Sequence, residues 1–311
     1  MKTLDKRKVQ PGHLFGEGIT YYYVDKQLDN SEGGEVVREH RLIQLTWKDK
    51  IGMIYRIHTN NKDDTTSEED NGSDGQSAAD AESLELIDTF KFDTHTGEGW
   101  GITFVPHTKE FYVSDGSEYI HVWDVETLEE KRRMAVTLER QGGSGGGGSN
   151  SGGSVRLKYV NELEFVEFHG KNECGGAVRD WDIHDVYLEQ CQEGDGEDEQ
   201  TTTTCSSVTS ESDTAGECNN DENNTRFTST MSILANVWYQ DVLIRIDPVT
   251  AKIIRVYDLS DIYPYEQRKK DRADCLNGIS VTGKEANEEE GLELWVTGKL
   301  WPKMYRIRLI D

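Results

Sequence analysis

The sequence predicts an all-β protein built as a radial array of antiparallel sheets, and three observations predict it. Four segments open a β run in the same way: Phe15-Gly-Glu-Gly-Ile-Thr20, Gly97-Glu-Gly-Trp-Gly-Ile-Thr103, Asn161-Glu-Leu-Glu-Phe-Val166 and Leu276-Asn-Gly-Ile-Ser-Val281. Each is followed by two further β runs. These are Leu45-Thr-Trp47 and Met53–Ile57, Tyr112–Gly116 and Ile120–Trp123, Ala235–Trp238 and Val242–Ile246, and Leu294–Lys299 and Met304–Leu309. Helical periodicity is weak throughout. A unit of this size cannot bury its apolar face alone, so its repetition implies sheets packed against one another.

The first block runs from about Leu14 to Thr59 and reads as interrupted by a polar hairpin excursion, Asp25 to His40. The second runs from Leu84 to Glu139, with Asp115-Gly116 as its strongest turn. Gly142–Ser154 is a Gly/Ser coil by composition. The third block resumes at Val155 and is split by an acidic stretch before Ser232–Trp238; Asp247-Pro-Val-Thr-Ala-Lys252 separates two of its β runs. One short helix is expected within Leu259–Arg272, capped by Ser260. The fourth block runs from Cys275 to Asp311. Trp123-Asp124 and Trp181-Asp182 suggest WD repeats, but the Gly-His partner is missing and the blocks differ in length.

The chain has 311 residues, a net charge of −25 and only 34% hydrophobic residues, and the apolar deficit is local. Lys62–Glu85 holds nine acidic residues and one basic, and Glu189–Glu222 eleven acidic and no basic. Three low-complexity insertions, 61–83, 141–155 and 190–226, are therefore expected within a single domain spanning 1–311. No basic face is on offer to nucleic acid. No apolar run is long enough to span a membrane, and the first residues lack the apolar stretch of a signal peptide. The five cysteines form no C-x-x-C pair, which argues against a zinc ribbon. Cys174, Cys191, Cys205 and Cys218 lie in or beside the acidic stretch, where both disulfides and free thiols remain open, and the odd count leaves at least one unpaired.

The chain resembles the glutamine cyclotransferase family, the plant and bacterial type of glutaminyl-peptide cyclotransferase. The resemblance rests on Phe15–Thr20, Gln44–Lys48, Gly97–Thr103, Ser114–Ser117, Asn161–Phe165, Ala235–Trp238, Ile244–Pro248, Leu276–Ile279 and Thr297-Gly-Lys-Leu-Trp-Pro-Lys-Met-Tyr305, in the family's order. It implies a five-bladed β-propeller of which about four blades are present. Most of the first blade is expected to be missing, with Lys8-Val-Gln-Pro11 as its last strand, which would expose sheet edges and weaken catalysis. It also implies an enzyme that converts an N-terminal Gln to pyroglutamate with release of ammonia, without metal or other cofactor. The expected partners are peptides or proteins with an N-terminal Gln, and the chain is expected to act as a monomer. Plant members are typically secretory, which with a leader upstream of Met1 would make Asn71 and Asn223 glycan acceptors.

Cyclisation requires the α-amine to attack the γ-amide carbon of the same residue, so the protein mainly holds a folded conformer. One proton leaves the amine and one joins the departing ammonia, and one carboxyl group can move both. Glu17, flanked by glycines that allow close approach, is the first candidate. Glu98, from the matching Gly-Glu-Gly, is its rival. Lys299 and Asn161 are the candidates for stabilising the oxyanion and orienting the side chain. Trp47, Trp100, Trp238 and Phe15, with Glu98, are expected to line the substrate site. Trp123, Trp181 and Trp295 read as packing, and His13, His95, His107 and His169 as surface or turn residues. Two other readings remain: a catalytically impaired propeller that binds peptides, and a metal-dependent lactonase using Glu17, Glu98, Asn161 and Asn277.

Overall fold

Tyr21-Tyr22-Tyr23-Val24 and Leu42-Ile43 are β-branched and aromatic runs of the kind that favour a pleated, half-buried surface. In the computed structural model, which describes residues 12–27, 36–58, 83–139, 154–171, 227–282, 286–287 and 291–309, they lie in long paired strands. The chain forms two compact units, one of Met1–Ala135 with Leu157–Phe165, the other of Val136–Arg156 with Val166–Asp311.

The first unit contains two antiparallel meanders. β1 (Gly16–Gln27), β2 (Val36–Thr46), β3 (Ile51–His58) and β4 (Ser83–Lys91) form one, in that order; β5 (Ile102–Val105), β6 (Glu110–Ser114), β7 (Tyr119–Asp124) and β8 (Glu130–Ala135) form the other. The described flanks of the expected polar hairpin are paired as a hairpin, and they extend the first meander instead of breaking it. β1 and β2 stay paired out to Gln27 opposite Val36. Asp25 lies directly opposite Arg38 with an N–O distance of 2.9 Å, and Lys26 reaches Glu39 at 2.9 Å. Cross-strand ion pairs replace apolar packing there. Tyr22, Ile43, Leu45 and Ile54 of the first sheet and Ile102, Phe104, Phe111, Val113 and Trp123 of the second close over one core. Each such side chain contributes about 1.5–3 kcal/mol on burial. Trp123 is packing, as expected.

The second unit begins with a two-stranded ribbon, β9 (Thr137–Glu139) with β10 (Ser154–Arg156). β10 starts at Ser154, so the last two residues of the 141–155 stretch are paired. A five-stranded sheet then includes β11 (Val160–Lys171), β12 (Phe227–Val237), β13 (Val242–Ile246) and β14 (Ile253–Asp258). The expected helix is shorter than foreseen, α1 (Tyr265–Asp271), and its N-cap is Pro264 rather than Ser260. Proline fixes φ at a helical value and disfavours helix at the residue before it, so the helix starts there. β15 (Leu276–Val281), β16 (Ala286–Asn287), β17 (Leu292–Gly298) and β18 (Tyr305–Leu309) complete the chain. β15, β17 and β18 form a three-stranded antiparallel sheet, while β16 lies parallel to β11 on the five-stranded one. Val166, Leu234, Leu243, Leu276, Leu294, Val296 and Leu309 are the heart of its core.

Each unit closes one hairpin with the same device. Asp124 Oδ1 accepts from the Glu126 and Thr127 N–H groups, and Asp247 Oδ1 from those of Val249 and Thr250. A left-handed residue follows in both turns, Leu128 (φ 60°) and Ala251 (φ 56°). Trp295, expected to pack, is 38% exposed, because it lies at an outward position of β17 where the buried set is Leu292, Leu294 and Val296. Lys8–Pro11, Trp181, Asn71, Asn223, Cys174, Cys191, Cys205 and Cys218 and nearly all of the three low-complexity stretches lie outside the described residues. Cys275 is buried with a free thiol. No helix among the described residues is long and apolar enough to cross a membrane.

Candidate active site

The repeated strand openings contain a repeated irregularity. In β1, Gly16 pairs with Thr46 but Ile19 pairs with Gln44, so Glu17 and Gly18 together oppose Leu45. In β15, Leu276 pairs with Gly298 but Ile279 with Val296, so Asn277 and Gly278 oppose Thr297. Ahead of β5, Trp100 N–H donates to Ser114 O at 3.0 Å and Ser114 N–H to Gly101 O at 3.0 Å, so Trp100 and Gly101 oppose Ser114. Two residues against one is a β-bulge, which re-aims the side chain at the bulge. Glu17, Trp100 and Asn277 thus occupy one structural position. This corrects the sequence matching of Glu17 with Glu98, which is two residues out of register.

The bulge glycines allow main chain to approach main chain. Gly18 N–H donates to Trp100 O at 2.6 Å, and a Cβ on Gly18 would collide with that same carbonyl. A Cβ on Gly101 would collide with Asn161 O, which also accepts from Ser114 Oγ at 2.6 Å. The first half of β11 is tied down further by Phe165 N–H donating to Thr103 Oγ1 at 2.8 Å. Glu17, Trp100 and Asn161 are therefore set side by side along the first unit by their backbones. Glu17 is half-buried and Asn161 only 3% exposed.

Glu98 has a defined task. Its Oε2 accepts from Trp47 Nε1 at 2.7 Å and from Trp100 Nε1 at 2.8 Å, so one carboxylate holds two indoles. Lys48 Nζ lies 3.5 Å from Oε1 and 3.9 Å from the centre of the Trp47 ring. Phe15 meets Trp47 edge-on at 6.0 Å, and Trp47 N–H donates to Phe15 O at 3.0 Å. Hydrogen bonds to a charged acceptor are worth about 1.5–3 kcal/mol each. The outcome is an apolar wall, with Phe15 57% and Trp47 37% exposed, backed by a fixed negative charge.

The second unit holds the other two candidates. Lys299 follows β17; its N–H donates to Cys275 O at 2.9 Å and its carbonyl accepts from Asp274 N–H at 2.8 Å. Trp301 Nε1 donates to Asp274 O at 2.7 Å, and the Arg268 guanidinium donates to the same carbonyl and to Asp241. Trp238 follows β12, half-buried, with its ring 4.3 Å from that of Tyr239. Asn236 Nδ2 donates to Leu276 O at 2.8 Å, tying β12 to β15. Among the described residues no group of three or more His, Cys, Asp or Glu is placed to hold a metal ion.

A model of the family described as glutamine cyclotransferase matches residues 73–170 and 197–309, more than half of the chain. The chain belongs to the glutamine cyclotransferase family. The glutaminyl-peptide cyclotransferase of Arabidopsis thaliana is 37% identical over 78 residues, which are 25% of this chain and 22% of the length of that protein. The crystal structure of a glutaminyl cyclase from Myxococcus xanthus matches with 17% identity and a TM-score of 0.45, over 96% of this chain and 91% of that one.

In this glutamine cyclotransferase family member, the structure gathers Phe15, Glu17, Trp47, Glu98, Trp100 and Asn161 in the first unit and places Trp238 and Lys299 in the second. Two features escape the sequence. Lys48 enters through its neighbour Trp47. A buried charged pair, Asp115 and His121, with the exposed Glu130 on its outer side, is tied to the turn of Glu98, and only the fold reveals it. His121 sits in an almost wholly buried strand, so alternation gives no hint of its setting.

Proposed function

We propose that this chain is a glutaminyl-peptide cyclotransferase, and that the bulge carrying Glu17 beside the Glu98-clamped indoles is its catalytic wall. The observation that carries this reading is the carboxylate on a re-aimed strand position, set by backbone contact next to Trp100. The family membership supports the same chemistry.

In this reading the substrate's N-terminal Gln lies against Phe15, Trp47 and Trp100. The α-amine, having released its ammonium proton to solvent, attacks the γ-carboxamide carbon, and Glu17 takes a further proton from the attacking nitrogen as the bond forms. The new C–N bond closes the five-membered ring and leaves a tetrahedral oxyanion. Glu17 then passes its proton to the departing nitrogen, the C–N bond of the amide breaks, and ammonia leaves. Glu98 anchors the two indoles, whose faces attract the substrate's ammonium. Asn161 and Lys299 are assigned to the γ-amide and its oxyanion, and Trp238 to the aliphatic part of the substrate, on the strength of the resemblance. The proposed architecture is the family's five-bladed propeller, and no cofactor enters the reaction.

The test is ammonia release from a Gln-initiated peptide, with the unreactive Asn-initiated peptide as control. Glu17→Gln is expected to slow release by about 10²–10⁴-fold. An unchanged rate would remove Glu17 from the mechanism, and no release by the natural chain would remove the function.

A further inference from the structure

The most costly electrostatic feature of the first unit lies outside the proposed chemistry. His121 and Asp115 are both fully buried. His121 Nε2 is 3.1 Å from Asp115 Oδ2 and Nδ1 is 2.8 Å from Glu130 Oε2. Facing a carboxylate from both ring nitrogens favours the imidazolium, in which both donate, and the His95 N–H lies farther from Nε2, at 3.4 Å. Burial lowers the His121 proton affinity, yet the bonds to Asp115 and Glu130 outweigh it and raise the group above its ordinary value. Arg133 completes the cluster by pairing with Glu130 at 2.7 Å. Withdrawing such charges from water costs several kcal/mol per ion, on the order of what their attraction returns. A chain that only needed packing in β7 would do as well with an apolar residue.

The bonds that leave the cluster lead toward Glu98. Asp115 Oδ2 accepts from Thr96 N–H at 2.8 Å, and Thr96 Oγ1 donates to Asp115 O at 2.7 Å. The same Thr96 hydroxyl accepts from Glu98 N–H at 3.3 Å, while Thr94 Oγ1 donates to Glu98 O at 2.7 Å. Gly97, at φ 77°, turns the chain between them. Asp115 therefore holds the turn that presents the Glu98 carboxylate to Trp47 and Trp100.

We propose that His121 is a positioning residue: through Asp115 and Thr96 it fixes the turn of Glu98, and so the spacing of the two indoles that receive the substrate. The inference rests on the cyclotransferase reading for its kinetic part and on the hydrogen-bond chain for its structural part. His121 touches no substrate, so its removal acts on affinity rather than on the proton transfers of Glu17.

The experiment uses His121→Gln, which keeps one donor but not the charge, with Thr96→Val and Thr96→Ser, which remove or keep the hydroxyl bonds to Asp115 O and Glu98 N–H while leaving the Thr96 N–H bond to the Asp115 carboxylate in place. The indole N–H resonances of Trp47 and Trp100, assigned with Trp47→Phe and Trp100→Phe, report the clamp without any turnover. Both resonances are expected to move in His121→Gln and Thr96→Val and to stay in place in Thr96→Ser. With a Gln-initiated peptide, KM is expected to rise about tenfold in the first two variants, kcat staying within about twofold. If His121→Gln does not fold, Thr96→Val decides. If the natural chain releases no ammonia, the cyclotransferase reading fails and the resonances alone decide the positioning role. Unmoved resonances, or moved resonances with an unchanged KM, overturn the inference.

Discussion

The two units hold their candidate site residues by different means. In the first, Glu98 and its indoles rest on the buried pair Asp115 and His121, which Glu130 caps from the exposed side. In the second, Lys299 is bracketed by main-chain hydrogen bonds to Asp274 and Cys275, and one buried cation, Arg268, supports that turn from behind. Among the described residues the Arg268 Nε has no hydrogen-bond partner, so even this support is incomplete. The difference is one of tolerance. Main-chain bonds survive most substitutions, whereas a buried charge cluster fails when any member is lost.

The largest expected effect follows from breaking the cluster. Asp115→Ala leaves His121 buried with one carboxylate and frees the Thr96 turn, and should destabilise the first unit by about 3–5 kcal/mol. Hydrogen exchange resolved by segment should show the loss in β5–β8 and leave β15, β17 and β18 unchanged. Equal loss in both units would dissolve the contrast. Arg268→Ala is the corresponding cut in the second unit. Asp241 keeps 25% exposure and can regain water, so the expected loss is smaller, about 1–3 kcal/mol, confined to α1 and the Asp274–Trp301 turn.

The smallest effect is the response to pH, and its sign follows from the shifts. For Asp115, burial pushes the carboxyl up, but bonds from His121, Ser117 and the Thr96 N–H outweigh it and hold it well below the usual range. Glu130 is lowered likewise, by His121 and Arg133 against burial. Groups lowered on folding contribute stability above their unfolded values, 3.8 and 4.5, and lose it as pH falls through the folded ones. His121 is raised, so its contribution is full below 6.5 and is lost as pH rises through its folded value. The groups facing it are Asp115, Glu130 with Arg133, and more remotely Asp93 with Lys50. Urea midpoints measured from about pH 2 to pH 9 should therefore fall at both ends for the natural chain, and His121→Gln should flatten the alkaline limb. An alkaline limb unaltered in that variant would assign it to another group.

Much of this was legible in the residues and some was not, for physical reasons. Strand positions follow from β-branched and aromatic runs, and the Asp-led turns at Asp124 and Asp247 from side-chain acceptors matched to nearby N–H groups. Trp47, Trp100 and Glu98 were legible as a group, though not that one carboxylate would hold both indoles. Strand register was not legible. The two Gly-Glu-Gly triplets look equivalent, and only the pairing of Ser114 with Trp100 and Gly101 shows that Trp100 occupies the position of Glu17. The hairpin at Asp25–His40 was legible, but not that opposite charges, Asp25 with Arg38 and Lys26 with Glu39, would pair between its flanks. Lys299 entered through the resemblance and Trp238 through its place in the strand repeat, since their neighbours contain nothing that separates a ligand contact from packing.

The glycines at 18 and 101 act as a gauge. With no side chain at either place, the gap between adjoining strand openings equals the thickness of two peptide backbones and nothing more. Residues beside that gap are free to vary in chemistry, acid in one repeat, indole in the next, amide in a third, while their separation stays the same. A fold with that property can exchange the reagents along its seam without re-machining the seam itself.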